Sequence, residues 1–554
     1  MHYLKINAVC LTLFASLTGA NIKMNPKTVA VAALSLLGTT TQAQKSKPNV
    51  IILFSDQHAA GVVGYEGHAD AITPNLDRMS RQGVAFGRAY CQDAISVASR
   101  NSLFTGLYPR TIGCLDNSRP ETSVMSAVVS MQEAFRRNGY ATYAFGKRHL
   151  EGKADEGWTL HRSHIASESP RDNYVSWIAA QGYAEAFGKD WAAEFGRFPK
   201  GNTLVDTPYP TAPMGTRISE LPENYTMEAY SALNTIDMIR QHGQEKTPFF
   251  CFTSFYRPHQ PYTPLPKYMS FYDRSRWGRG TVNGDGIVMP ETLRQPADQL
   301  PPMLAALRTS EKGIWCLGKA AQDEQLYREY IGAYYALVQE IDHWAGEIFR
   351  ALEENGLANN TIVVYTSDHG DFVGSHGMIE KAALGHNVYE ETLRVPLIFW
   401  WPGHLKTGYR SGDLVELLDI YPTLAELTGI ALPDLKHPLQ GLSLRRNLTA
   451  GKPVKRTYTV SENWSQATVI TRNEKLGIWL DPKPVARDYR AFGPMLFERT
   501  TDPGEVNNLA ADSTRATTVK RLTSFYEDFC KRINSRGKEE MKTILSTKKN
   551  RNIQ

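Results

Sequence analysis

Two strongly apolar runs in this chain end in the same kind of chemistry. Pro48-Asn49 leads into VIILFS, which stops at Asp56-Gln57-His58, and Thr361–Ser367 (TIVVYTS) stops at Asp368-His369-Gly370. Each run is short enough to be a buried strand, and each closing Asp is followed by a second residue able to ligate a metal. Hard oxygen ligands are what a calcium or magnesium ion requires. Asp56 and Asp368 are therefore candidates to supply them from both sides of one site. Capping of loop backbone is the alternative for either Asp; the metal reading is preferred for the pair, and for Gln57 the two stand about level.

A third segment, Ser96–Gly106 (SVASRNSLFTG), begins with a serine suited to cap a helix, and helix N-termini attract anions. Lys147 and Lys381 carry compact charges suited to an oxyanion. His149 and His259 bear imidazoles, which titrate near neutral pH and so suit proton transfer.

The elements that must position these groups alternate strand, helix, strand. Pro74–Arg88 reads as a helix with Pro74 at an early position and Leu76, Met79 and Val84 on one face. Tyr327–Asn355 has helical periodicity and is closed by Gly356. This pattern predicts an α/β domain whose sheet is mainly parallel, and in such sheets ligands gather beyond the carboxyl ends of the strands. From about Arg446 the pattern changes. RTYTVSENW, ATVITR and EKLGIWL read as short alternating strands, followed by a helix near Thr517–Asn534. The expected organisation is a catalytic domain over 44–445, a smaller α+β subdomain with an antiparallel sheet over 446–536, and a basic tail over 537–554.

A chain of 554 residues with 42% hydrophobic and 21% charged residues suits one large domain plus a smaller one, and it shows no internal repeat, coiled coil or disordered composition. Two apolar stretches near the start, Val9–Leu17 and Thr28–Leu37, are too short to span a bilayer, so an integral membrane protein is not expected. The second fits a signal peptide starting at Met24, with Lys27 as its charged region and small residues before Thr41-Gln42-Ala43. Cleavage after Ala43 is expected, with residues 1–23 an over-extended start. Export to the periplasm or the medium of a bacterium follows. Loss of 1–43 removes Lys5, Lys23 and Lys27 and no acid, so the formal charge falls from +5 to +2, which gives no case for nucleic acid. Of Cys10, Cys91, Cys114, Cys251, Cys316 and Cys530, five survive cleavage, scattered without metal-ligand spacing, and no disulfide framework is inferred.

The Ser96 segment resembles the signature of the formylglycine-dependent sulfatases, in which a Cys or Ser is followed by Pro or Ala, then Arg, and closed by Thr-Gly. Ser96, Ala98, Arg100 and Thr105-Gly106 match it. Other blocks resemble that family in order: Asn49–Gln57, Thr73–Tyr90, Gly146–Leu150 (GKRHL), Pro258–Pro261 (PHQP), Thr366–Asp371, Tyr389–Ile398 and Phe497–Leu509. The resemblance implies an alkaline-phosphatase-like α/β fold and a sulfuric ester hydrolase. It implies a divalent cation, Ca2+ or Mg2+, on Asp56, Gln57, Ser96, Asp368 and His369. It further implies that Ser96 is oxidised to 3-oxoalanine (formylglycine), in the serine-type branch by a radical S-adenosylmethionine maturing enzyme. On the same resemblance, hydrated formylglycine would attack sulfur and displace the alcohol, with His259 protonating the leaving oxygen and His149 helping to expel sulfate. Lys147 and Lys381 would clamp the sulfate and Arg100 orient the nucleophile. Many relatives carry Asp where Gln57 stands, and the spacing after Lys381 departs from the usual pattern.

The substrate is the least legible part. Export favours a sulfated carbohydrate from a glycosaminoglycan, mucin or algal polysaccharide. Arg148, Arg257 and His386 are candidate substrate contacts, the arginines suiting an acidic sugar; pairing with nearby carboxylates is an equal alternative for both. Trp464 and Tyr489 are able to stack on a sugar, with buried packing favoured instead. The competing readings are a phosphonate or phosphate ester hydrolase of the same superfamily and a non-catalytic binder of sulfated glycan.

Overall fold

The computed structural model describes residues 47–533 apart from 116, 118–122, 165–167, 171, 196, 201–202, 207, 246, 273–286, 312–315, 382–386, 464–465 and 481–492. The leader 1–43, His386, Trp464, Tyr489 and the tail 537–554 lie outside the described residues.

Eight strands build one sheet: β1 (Asn49–Asp56), β2 (Val84–Phe86), β3 (Ala141–Gly146), β4 (Leu160–Arg162), β5 (Phe249–Pro258), β6 (Thr361–Ser367), β7 (Leu397–Trp400) and β8 (Tyr409–Ser411). Their spatial order is β8-β2-β7-β6-β1-β5-β3-β4. The stretch from β6 to β4 is parallel throughout, and β7 enters antiparallel to β6 and β2. β1 is buried along its whole length because helices cover both faces, which is why its sequence is continuously apolar instead of alternating. Val50, Ile52 and Phe54 pack on one face with Val97, Leu103 and Phe104; Ile51 and Leu53 pack on the other with Leu76, Ile236, Ile341 and Trp344.

The covering helices include α1 (Pro74–Gln82), α2 (Ser96–Thr105), α3 (Met227–His242) and α4 (Glu324–Glu354). The Asp323 carboxylate caps α4 by accepting from the N–H groups of Gln325 and Leu326. The helix expected over Pro74–Arg88 stops at Gln82. A side chain at Gly83 would run into the Phe399 carbonyl, so the chain turns there and Val84, assigned from periodicity to the helix face, enters the sheet as β2.

The C-terminal region forms a separate antiparallel sheet of β9 (Thr459–Asn463), β10 (Gln466–Ile470), β11 (Glu474–Trp479) and β12 (Met495–Glu498) in sequence order. A cross-strand row of Val460, Val469, Leu476 and Leu496 packs against Leu522, Tyr526 and Phe529 of α5 (Ala516–Arg532). β12 was absent from the sequence reading: four residues between Gly493-Pro494 and Arg499-Thr500 are too few to show a period of two. The buried Lys475 ammonium of β11 reaches Glu390 at 2.9 Å and Glu505 at 2.5 Å, which ties this sheet to the main domain. Among the described residues Cys91, Cys114, Cys251, Cys316 and Cys530 form no disulfide. Among the described residues no helix is long and apolar enough to cross a membrane.

Candidate active site

The parallel register sets Ser55 of β1 opposite Ser367 of β6, so Asp56 and Asp368 leave the sheet at the same level. α2 begins beside them. Ile95, not Ser96, is its cap residue. Ser96 Oγ lies 3.1 Å from His369 Nε2 and 3.5 Å from Asp56 Oδ1.

Arg100, one turn along α2, donates to Asp56 Oδ2 at 3.0 Å, Asp368 Oδ2 at 2.8 Å, the Lys147 carbonyl at 2.7 Å and Ser254 Oγ at 3.1 Å. All three charged side chains are fully buried. Arg100 thus occupies the outer oxygen of each carboxylate, and the inner oxygens, Asp56 Oδ1 and Asp368 Oδ1, face His369 Nε2 at 3.9 and 3.7 Å. His369 Nδ1 donates to the Gly370 carbonyl at 2.9 Å, which fixes the tautomer and leaves Nε2 unprotonated, its lone pair beside Ser96 Oγ. One ligand atom each from Asp56, Asp368 and His369 lies within 4.8 Å of the others. Two carboxylate oxygens and an imidazole nitrogen, deprotonated and converging in a buried site, fit a divalent cation.

Burial alone would raise the Asp56 carboxyl, but Lys147, His259 and Arg100 hold it well below the usual carboxylate range. Burial and Asp56 would likewise raise Asp368, and His369 and Arg100 bring it below that range. Burial takes His369 down to about 4, against the pull of Asp368. The ligand set is therefore in its metal-binding protonation state at neutral pH.

Lys147 Nζ lies 2.5 Å from Asp56 Oδ2, and burial lowers its pKa despite that partner. His149 is taken down to about 4 by burial and by Lys147. His259 is held well below its usual value by burial and then by Lys381; its Nδ1 donates to the Gln260 carbonyl at 2.9 Å. Lys381 Nζ donates to Gln57 Oε1 at 2.7 Å. The Gln57 amide nitrogen donates to Asp371 Oδ2 at 2.7 Å, Gln260 Oε1 at 3.1 Å and Tyr262 Oη at 3.2 Å. Gln57 therefore links the Asp56–Asp368 pair to Lys381, and the structure brings Ser96, Arg100, Lys147, His149, His259 and Lys381 around one cluster.

Two candidate substrate contacts are committed elsewhere. The Arg148 guanidinium grips Asp155 at 2.7 and 3.1 Å and Ser169 Oγ at 3.2 Å, with 2% of the residue exposed. Arg257 donates to the Pro261 carbonyl, to Thr263 Oγ1 at 2.7 Å and to the His259 carbonyl at 3.4 Å. Arg148 follows β3 and Arg257 lies at the end of β5, positions where a buried cation finds protein partners, so the fork expected to read an acidic sugar braces the chain instead. His386 lies outside the described residues. The sequence reading missed Asp371, Gln260 and Tyr262, the partners of Gln57. Asp371 and Gln260 stand inside the blocks already singled out, and that adjacency was the signal. Glu168, which accepts from the backbone of Arg148 and His149, stands in no block.

The fold is alkaline-phosphatase-like, and at the carboxyl edge of its sheet it gathers an Asp-Asp-His group able to hold a metal ion. The model of the Sulfatase family matches residues 48–430, and the chain belongs to that family; it is a sulfuric ester hydrolase. Residues 374–531 match the model described as N-sulphoglucosamine sulphohydrolase, C-terminal. The chain is 26% identical to the arylsulfatase of Clostridium perfringens, covering 84% of this chain and 90% of that protein. It is 23% identical to the N-acetylglucosamine-6-O-sulfatase of Bacteroides thetaiotaomicron, covering 95% and 94%. The crystal structure of the phosphonate monoester hydrolase of Agrobacterium radiobacter superposes with a TM-score of 0.69 at 23% identity, over 88% of this chain and 96% of that one.

Proposed function

We propose that this enzyme removes O-sulfate from a sulfated carbohydrate outside the cytoplasm, with Ser96, matured to formylglycine by a radical S-adenosylmethionine enzyme, as its catalytic group. The observation that carries this is the Ser96 hydroxyl, one residue past the helix cap and set 3.1 Å from His369 Nε2 and 3.5 Å from Asp56 Oδ1. A divalent cation, with calcium the expected one, would be held by Asp56, Gln57, Ser96, Asp368 and His369. The aldehyde, hydrated by one water to a geminal diol, would supply the nucleophilic oxygen, and the cation would supply the positive charge that makes it reactive at neutral pH.

The remaining residues bind, orient and carry protons. Arg100 orients Asp56 and Asp368. Lys147 and Lys381 neutralise the sulfate oxygens, Lys381 leaving Gln57 Oε1 to do so. His259 is neutral in the free site because burial and Lys381 disfavour its cation. An anionic ester beside Lys381 offsets that repulsion, so His259 becomes able to hold the proton needed by the leaving oxygen. His149, beside Lys147 and Arg100, accepts the proton released when sulfate departs.

The carbohydrate assignment draws on the relatives, which include the N-acetylglucosamine-6-O-sulfatase above and a Delta 4,5-hexuronate-2-O-sulfatase of the same organism at 25% identity, and on the export signal expected over Met24–Ala43. The test is sulfate release from a panel of sulfated mono- and disaccharides beside aryl phosphate and phosphonate monoesters, with and without a chelator. Cation-dependent release from at least one sugar supports the reading. Faster turnover of the phosphonate with no sugar cleaved would replace it with the phosphonate hydrolase.

A further inference from the structure

Among the residues around Ser96, His149 shares with Gln57 an unusual positive backbone φ. Its backbone φ is +52°, a left-handed conformation that non-glycine residues adopt only where the surroundings impose it. The ring does not anchor itself: Nδ1 is buried without a hydrogen-bond partner. Where the imidazole stands is therefore decided by whatever fixes the backbone.

That element is Glu168. Its two carboxylate oxygens accept the backbone N–H of His149 and of Arg148, each at 2.9 Å, and the Ser163 hydroxyl donates to the second. Burial would raise this carboxyl, yet Arg148, His149 and Ser163 take it down to about 2, so it is an anion throughout the neutral range. Two consecutive N–H groups converging on one carboxylate are a backbone arrangement that an anion stabilises. Glu168 is itself gripped from behind: the Arg148 guanidinium donates to the Glu168 carbonyl and to Ser169 Oγ while it is forked onto Asp155. Asp155, Arg148 and Glu168 thus form a closed brace around the Lys147–His149 turn.

We infer that Glu168 is the positioning residue of the proton-handling His149, and that Arg148 is retained to hold Glu168 and not to touch the sugar. This rests on the catalytic role proposed for His149. Glu168→Gln keeps the size of the side chain but presents an amide NH2 to one of the two N–H donors. A displacement on the order of 1 Å in a catalytic group costs about 100-fold. The expected result is therefore a fall in kcat of about 10- to 100-fold with KM and cation affinity within about twofold of the parent, and faster hydrogen exchange at the Arg148 and His149 amides. Unchanged kcat and unchanged exchange in a folded Glu168→Gln enzyme would overturn the inference. So would a parallel loss of KM, cation affinity and melting temperature, which marks general damage. If Glu168→Gln does not fold, Arg148→Lys decides on the same readouts, since lysine cannot fork Asp155 and Ser169 together. A parent enzyme that releases sulfate from no ester would instead sink the proposed function, and this inference with it; the parental assay separates the two failures.

Discussion

Ser96 Oγ and His369 Nε2 lie 3.1 Å apart although 273 positions separate them in the chain. The relationship follows from the sheet: β6 delivers Asp368-His369 beside the end of β1, and α2 starts over that edge. With Nδ1 committed to the Gly370 carbonyl, the Nε2 lone pair serves the serine hydroxyl in the free protein and is available to a cation.

Arg100 is expected to be indispensable to the fold as well as to activity. Arg100→Met leaves the buried Asp56 and Asp368 without the guanidinium that spans them, and breaking a buried charge pair costs about 3–5 kcal/mol. Denaturant unfolding of the metal-free protein should show a loss of that order. Stability within about 1 kcal/mol of the parent would contradict the account.

Restoring the carboxylate that many sulfatases carry at position 57 is expected to hurt the metal-free protein. Gln57→Asp loses the amide donor now 2.7 Å from Asp371 Oδ2 and sets a second carboxylate near that already strained acid, whose pKa burial raises. The predicted cost is about 1–3 kcal/mol, reduced on cation addition. Melting temperatures with and without calcium test this, and an unchanged metal-free value would refute it.

Acid sensitivity has an identifiable contributor in His164. Burial takes it to about 3 from an ordinary 6.5, and its Nε2 is engaged by the Met227 carbonyl and Ser231 Oγ. Above pH 6.5 both states leave it neutral. As pH falls from 6.5 towards 3 the unfolded chain takes a proton that the folded one refuses, so stability falls by up to about 1.4 kcal/mol per pH unit for this group. His164→Gln is predicted to flatten the pH dependence of unfolding in that window; an unaltered slope would assign the acid sensitivity elsewhere.

The proposed export predicts a processed N-terminus. Protein recovered from its native cells should begin at Gln44, as read by N-terminal sequencing, and a chain retaining residues 24–43 would contradict cleavage after Ala43.

Much of the site was legible because its residues sit at element ends. Asp56 and Asp368 close apolar strands, so the end of each run marks them, and Ser96 was marked by the signature it opens. What was illegible depended on partners distant in the chain. Nothing local distinguishes an arginine that meets a sugar from one that meets protein partners; Arg148 took Asp155, and Arg257 took the Pro261 carbonyl and Thr263 Oγ1. The end of α1 at Gly83 was set by the Phe399 carbonyl of β7, over three hundred residues away. Glu168 acts through backbone amides, which carry no side-chain signature at all.

The central claim is tested most directly by mapping the peptide that contains Ser96 by mass, after coexpression with a serine-type maturing enzyme, and comparing sulfate release before and after maturation. The account predicts a loss of two hydrogens at Ser96, an aldehyde that can be trapped, and cation-dependent sulfate release only from the converted enzyme. A Ser96 that stays serine under conditions that convert a control sulfatase, or full activity from the unconverted protein, would contradict it.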